Sequence, residues 1–234
     1  GGHTWTYTYN LTSTGGTSTV TGPDGNDAVH TIARPVSMAC AFYDTQAQYF
    51  QGSASTGTLL RTVATQYSGN SASTGAANVV PTQVTTTIGA KTSKVVNTYD
   101  ALGTNADGNP VIIGSLLQRD EYDFSNTLVR STLKHFLWQD SSTYLSNNFV
   151  ALPASTTVKD GSGNQVAQTT YAYDQTTPLS SGITTQHGSP PAGGNIRGNP
   201  TTVSRWENGS TVSTTNCPFS VSNGLIPSTS AFYD

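Results

Sequence analysis

Three acids lie close together at Asp120, Glu121 and Asp123. Alternation along a strand puts Glu121 and Asp123 on one face, and a glycoside hydrolase needs two carboxyl groups roughly 5–9.5 Å apart across a cleft. No second acid cluster or aromatic cleft accompanies them, so they read as a solvated strand end that finishes in a Tyr-Asp turn. Two Asx-rich loops offer closely spaced oxygens around a glycine: Asp24, Asn26 and Asp27, and Asn105, Asp107 and Asn109. A calcium ion would use such oxygens, but neither loop runs on to the closing Glu of a twelve-residue calcium loop. They read as turns without metal. The histidines, His3, His30, His135 and His187, are scattered. GxSxG, HExxH, GxxxxGK[ST] and a helix-opening GxGxxG are all missing. The expectation is a protein that is not an enzyme, with no catalytic residue, metal or cofactor.

Cys40 and Cys217 carry neither a CxxC nor a close Cys/His pair, which argues against zinc. One long-range disulfide, suited to a secreted protein, and two separate buried thiols both remain open. The net charge is -3 and no basic block occurs, so there is no electrostatic footprint for nucleic acid. The apolar runs are far too short to span a bilayer. Only 10 % of residues are charged, against about 25 % in ordinary globular chains, and 34 % are hydrophobic. Thr, Ser, Gly, Asn, Gln and Tyr fill the difference, a mixture that suits sheet surfaces in extracellular fibres, adhesins and shells.

The elements that must position these residues are strands. Thr4 to Tyr9 reads TWTYTY, with Trp5, Tyr7 and Tyr9 on one face and threonines on the other. Alternating runs recur at 59–67, 82–88, 93–99, 128–133, 155–159, 165–173 and 201–206. Asp24-Gly25-Asn26, Asp107-Gly108-Asn109, Asp160-Gly161 and Asn208-Gly209 punctuate them with steps that suit type I′ hairpin turns, and residues 157–172 are read as a hairpin with DGSGN as its loop. Leu116 to Phe124 and Leu133 to Gln139 have some helical spacing, but the HFLW segment of the second is expected to be strand, like its surroundings. Residues 69–78 and 178–199, rich in Gly, Ser and Pro, are expected to be surface loops. Asn10-Leu11-Thr12 and Asn208-Gly209-Ser210 fit the glycosylation sequon, though Asn208 is already explained by its hairpin turn.

One short element recurs at the ends of alternating runs: tyrosine followed by Asp, or by Asn in the first copy. It occurs as TYTYN (6–10), AFYD with Tyr43 and Asp44, NTYDALG with Tyr99 and Asp100, and DEYDF with Tyr122 and Asp123. It occurs again as TTYAYD with Tyr171, Tyr173 and Asp174, and as AFYD with Tyr233 and Asp234. A second element, RGNPTTVSRW, contains Gly198 and Asn199 and is echoed in DGNPVII at 107–113. The tyrosine ring would pack on the neighbouring strand, and the aspartate would accept backbone N–H bonds in the following turn.

This pattern resembles the RHS/YD-repeat family, in which a strand ending in Tyr-x-Tyr-Asp is followed by a glycine-bearing turn and a second strand. Most copies here lack the Arg before the tyrosines and the Gly-Arg-Leu after them, and the spacing is irregular. The chain is read as degenerate repeats with long insertions. The resemblance implies an all-β fold of antiparallel strand-turn-strand repeats forming an extended, curved sheet. It implies one repeat-built domain over 1–234 that is a piece of a longer chain. It also implies a wall segment of a secreted or surface bacterial shell that encloses or displays a toxin or effector domain. Expected partners are neighbouring repeats, further copies through exposed strand edges, and a cargo domain. The alternative is a carbohydrate-binding or adhesin-like module, for which Trp5, Trp138 and Trp206 would lie exposed along one groove.

Overall fold

The computed structural model describes residues 3–35, 41–72, 75–101, 112–176, 196–207 and 210–215. The chain divides into two compact units, Gly1–Ser131 and Thr132–Asp234. It is all-β, with two short helices among the described residues. The first unit holds β1 (Thr6–Thr12), β2 (Gly15–Thr21), β3 (Asp27–Ala33), β4 (Tyr43–Gln51), β5 (Thr58–Ala72), β6 (Gly75–Ile88), β7 (Lys91–Tyr99) and β8 (Leu116–Tyr122). Strand β9 (Leu128–Phe136) starts in the first unit and ends in the second. The second unit continues with α1 (Leu137–Asp140), α2 (Ser142–Ser146), β10 (Pro153–Asp160), β11 (Gln165–Tyr173), β12 (Pro200–Glu207) and β13 (Ser210–Thr215). From β1 to β8, and again from β10 to β13, each strand pairs antiparallel with the next in sequence.

The period-two pattern gives the sheet of the first unit two different faces. Register places Tyr7, Val20, Ala28 and Tyr49 in one row, beside the row Tyr9, Ser18, His30 and Ala47. The opposite face carries Thr8, Thr19, Val29 and Gln48, then Asn10, Thr17, Thr31 and Gln46. Packing is nonetheless thin. Among the described residues the buried apolar side chains are Ala47, Ile112, Phe136 and Trp138. Most strand residues are half-buried, shielded by their cross-strand neighbours. Ladder hydrogen bonds and cross-strand pairs therefore carry much of what a thick core would supply.

The hairpin loops differ from the expected type I′ turns in an instructive way. Three of them share one geometry: 22–26, 123–127 and 160–164. In each, the first residue's N–H donates to the fifth residue's carbonyl at 2.9 Å. The fourth N–H returns to the first carbonyl at 2.9–3.0 Å. Only the fourth residue takes positive φ: Gly25 at 73°, Asn126 at 57° and Gly163 at 86°. That is a type I turn followed by one left-handed residue, not a type I′ pair. In two of the loops the first residue is an aspartate, and its Oδ1 accepts the third and fifth N–H groups. Asp123 holds Ser125 and Thr127 at 2.8 and 2.9 Å, and Asp160 holds Ser162 and Asn164 at 2.9 Å each. The carboxylate needs the corner position, so Asp160 cannot sit at the centre of a two-residue turn. Glu207 pairs with Ser210, so two residues, Asn208 and Gly209, link β12 to β13 as the sequence suggests; they lie outside the described residues, as does 107–109.

Two further expectations are corrected. The strand expected through HFLW stops at Phe136, and Leu137 and Trp138 open a helical turn. Gln139 enforces the stop: its side-chain oxygen accepts the Phe136 N–H at 2.7 Å, while the Ser141 N–H caps back to the Leu137 carbonyl. Residues 69–78 are not a plain loop either, because β5 and β6 continue pairing out to Ala72 and Gly75. Ladder bonds use the backbone alone, so small side chains do not prevent them. Of 178–199, residues 196–199 lead into β12 and the rest lies outside the described residues.

At Gly163 a methyl group would meet nothing within 4 Å, so only the positive φ opposes it. Gly163→Ala should cost about 1 kcal/mol, measured as a fall in urea-unfolding stability.

Candidate functional site

The two Tyr-Asp pairs that match the family pattern best build the same corner, one in each unit. In the first, the ladder β7–β8 runs Thr98↔Gln118 and then Tyr99↔Leu116, so Leu117 is an unpaired bulge residue. In the second, β11–β12 runs Ala172↔Thr202 and then Tyr173↔Pro200, which leaves out Thr201. The bulge turns the strand, and the tyrosine is the last paired residue before the chain departs. The next residue is the aspartate. Its own N–H reaches the loop that returns to the following strand: Asp100 to the Ser115 carbonyl at 3.1 Å, Asp174 to the Asn199 carbonyl at 2.9 Å.

The carboxylates then close the corner. Asp100 accepts the Ile113 N–H on Oδ2 at 2.6 Å, and those of Gly114 and Ser115 on Oδ1 at 2.9 and 2.6 Å. Asp174 accepts the N–H groups of Arg197 and Gly198 on Oδ2 at 3.1 and 2.9 Å, and of Asn199 on Oδ1 at 3.0 Å. Three consecutive amides converging on one carboxylate form a backbone anion nest. It requires a positive φ at the middle residue, supplied by Gly114 at 98° and Gly198 at 74°. Asp100 is only 1 % exposed, so these amides replace the water its charge has lost.

The second corner has an added clamp. The Tyr144 hydroxyl, from α2, donates to Asp174 Oδ2 at 2.7 Å, and burial together with that carboxylate pushes the phenol well above its usual range. Tyr173 donates to the Pro153 carbonyl at 2.8 Å, and burial raises it to about 12. Tyr171 stacks beside it, with ring centroids 6.5 Å apart. Phe149 and Leu152 pack on Gly198, where an added Cβ would lie 2.8 Å from Leu152 Cδ1. The positive φ favours glycine there, and an added Cβ would also have to push the Leu152 side chain aside.

The other Tyr-Asp pairs do different things. Tyr122-Asp123 does mark a corner, the hairpin turn described above. Tyr43 and Asp44 open β4 instead of closing a strand. Asp44 meets His30 Nδ1 across the ladder, and its carbonyl accepts the Tyr67 hydroxyl at 2.8 Å. Asn10 lies within β1. Tyr233 and Asp234 are outside the described residues, as are Cys40, Cys217 and the 105–109 loop.

Sequence reasoning missed the partner loop of Asp100. It matched Arg197-Gly198-Asn199 to Asp107-Gly108-Asn109, whereas the structural counterpart is Ile113-Gly114-Ser115. The shared string, Ile-x-Gly-Ser/Asn at 112–115 and 196–199, was the available signal. A threonine latch was missed as well. At three bulges the unpaired threonine donates to a carbonyl on the facing strand: Thr45 to Thr31, Thr82 to Gln66 and Thr201 to Ala172, at 3.1–3.3 Å. Two of these sit in matching segments, Pro81-Thr82-Gln83-Val84 and Pro200-Thr201-Thr202-Val203, each following a tyrosine on the preceding strand that pairs with the proline.

The acids that first suggested chemistry are engaged elsewhere. Glu121 lies between Arg130 and Arg119, and these hydrogen-bonded guanidinium groups hold it below the usual carboxylate range. A general acid needs the opposite shift. Asp120 accepts from Ser131 and Gln118. In the 24–27 loop, Asn26 accepts the Gly52 N–H and Asp27 accepts the Thr21 hydroxyl and the Ala54 N–H, so these oxygens staple the neighbouring 52–57 loop. Those hydrogen bonds, Thr21 first, hold Asp27 low. The tryptophans are divided: Trp138 is buried, Trp206 half-buried and Trp5 exposed.

No family profile matches the chain, and no curated protein does.

Asp100→Asn keeps the shape but loses the charge and turns an N–H₂ toward amide donors. It should cost about 3 kcal/mol or more in urea unfolding. Asp44→Asn, in a solvent-exposed pair, should cost about 0.5 kcal/mol or less. Equal losses would remove the distinction between the two Tyr-Asp pairs.

Proposed function

We propose that this chain is a non-catalytic wall segment of a secreted or surface bacterial protein of the RHS/YD-repeat kind, part of a shell or fibre that encloses or displays a toxin or effector domain. The observation that carries the reading is the recurrence of one corner, Tyr-Asp closed on three successive amides of an x-Gly-Ser/Asn loop, at 99–115 and 173–199. Such corners turn a strand without needing a thick core behind it, which suits a wall. Neighbour-to-neighbour pairing in chain order, few buried apolar residues and carboxylates committed to the backbone agree with scaffolding. Partners on this reading are adjoining repeats, further copies of the chain and an enclosed cargo domain.

One observation favours a second reading, a carbohydrate-binding module. A shallow depression in the first unit is lined by Trp5, Tyr49, Phe50, Leu60 and Pro23, with Asp24 and Asn26 at hand for hydroxyl groups. The exposed Trp5 ring, beside half-buried Tyr49 and Phe50 and polar side chains, suits a sugar. The tryptophans do not share it, however: Trp138 is buried and lies in the other unit.

Electron microscopy of the parent protein, with this segment in its natural context, tests the wall reading. The expected result is a hollow particle with this segment in its shell. A solid particle, or one with this segment detached as a free module, would overturn it.

A further inference from the structure

We propose that Tyr43 and Tyr67 are a site of oxidative cross-linking, joined as dityrosine by a peroxidase-type one-electron oxidant with hydrogen peroxide, so that β4 and β5 are stapled covalently. The wall reading supplies only an exterior setting in which peroxides act; the chemistry rests on local geometry. The β4–β5 ladder includes Gln46↔Ala64, and the same register carried three residues further on each strand sets Tyr43 opposite Tyr67. Their ring centroids are 5.3 Å apart and their planes are tilted by 49°. The Tyr67 hydroxyl donates to the Asp44 carbonyl at 2.8 Å, which holds its ring against β4. Both tyrosines are half-buried, so each ring keeps an open side. Ordinary side-chain motion of roughly 1 Å covers much of the approach that a bond between the rings still needs.

Each phenol gives up one electron and its hydroxyl proton. The two radicals join through ring carbons ortho to the oxygens. Each joined carbon then releases its hydrogen as a proton, while each oxygen takes one back. In all the pair loses two electrons and two protons, and these reduce one hydrogen peroxide to two waters. Charge sets this pair apart from other tyrosines. The Arg61 guanidinium lies 4.2 Å from the centre of the Tyr49 ring, and the Lys94 ammonium 4.6 Å from that of Tyr122. Taking an electron from a ring beneath a cation costs more. Among the described residues no cation lies over Tyr43 or Tyr67, and the charge that acts on Tyr67 is the Asp44 carboxylate. Tyr171 and Tyr173 also meet, but at 6.5 Å, stacked along one strand, with the Tyr173 hydroxyl tied to Pro153. A bond there would join near neighbours in sequence and staple no strands. A bond between 43 and 67 closes the whole β4–β5 hairpin and restricts the unfolded chain, as any long-range cross-link does.

The test treats the whole 234-residue chain, at high dilution, with a haem peroxidase and hydrogen peroxide. Mass spectrometry of proteolytic fragments should find the segments around 43 and 67 joined, lighter by two hydrogens than the separate fragments, in a product that runs as a monomer on a denaturing gel. The treated protein should unfold at a higher urea concentration than the untreated one. Tyr43→Phe and Tyr67→Phe should each abolish the bridge and the urea shift, while Tyr49→Phe keeps both. All three variants should keep the wild-type circular dichroism spectrum, since each loses a single hydroxyl. Absence of a 43–67 bridge, whether other tyrosines couple or none does, overturns the proposal. So does a bridge that forms and leaves the urea midpoint where it was, because β4 and β5 are then not stapled. Neither result bears on whether the parent protein is hollow, so the wall reading fails or survives by its own measurement.

Discussion

The fold depends on a charge held by backbone. At Asp100 and again at Asp174, one carboxylate gathers three successive N–H groups from a loop that returns after an excursion. The strand before the aspartate and the strand after the loop are thereby fixed in register at the place where pairing would otherwise fray. A neutral side chain would not do this as well, because bonds to an ionised acceptor are stronger and shorter than those between neutral groups. Glycine at the loop's centre suits this geometry, since the middle residue takes positive φ at both corners.

A thin sheet makes this constraint matter. With few apolar side chains buried among the described residues, cross-strand pairs and local hydrogen bonds must hold each strand to the next. The same solution appears at smaller scale throughout the chain. Aspartates close hairpin turns at 123–127 and 160–164, threonine hydroxyls latch the bulges, and Asn26 and Asp27 staple the 52–57 loop. Short uncharged polar side chains dominate the composition because they are the groups that can satisfy backbone from within a strand or turn.

Much of this was legible in the residues. Alternation located most of the strands but not β2, β3, β4 or β8. Asp-Gly steps fell in the hairpin loops at 22–26 and 160–164, and the Tyr-Asp pairs at 99–100, 122–123 and 173–174 stand at corners. What escaped reading was everything that depends on a distant return. Asp44 follows a tyrosine as Asp100 does, yet it sits within β4 facing His30, and among the described residues no backbone amide is bonded to its carboxylate. The partner of Asp100 begins at Ile113, across a stretch whose length no local rule predicts. The helical turn at Leu137 hinges on a single side-chain bond from Gln139, which periodicity cannot show. Turn type was misjudged for a similar reason: a dipeptide suggests which residues turn, but the carboxylate's reach decides which of them stands first.

Native-state hydrogen exchange at residues 113–115 and 197–199 tests the central claim most directly. If carboxylates clamp the corners, these loop amides exchange as slowly as the strand amides beside them, and Asp100→Asn releases the first set while leaving the second protected. Exchange at the rate of an open loop in the unaltered protein would contradict the account.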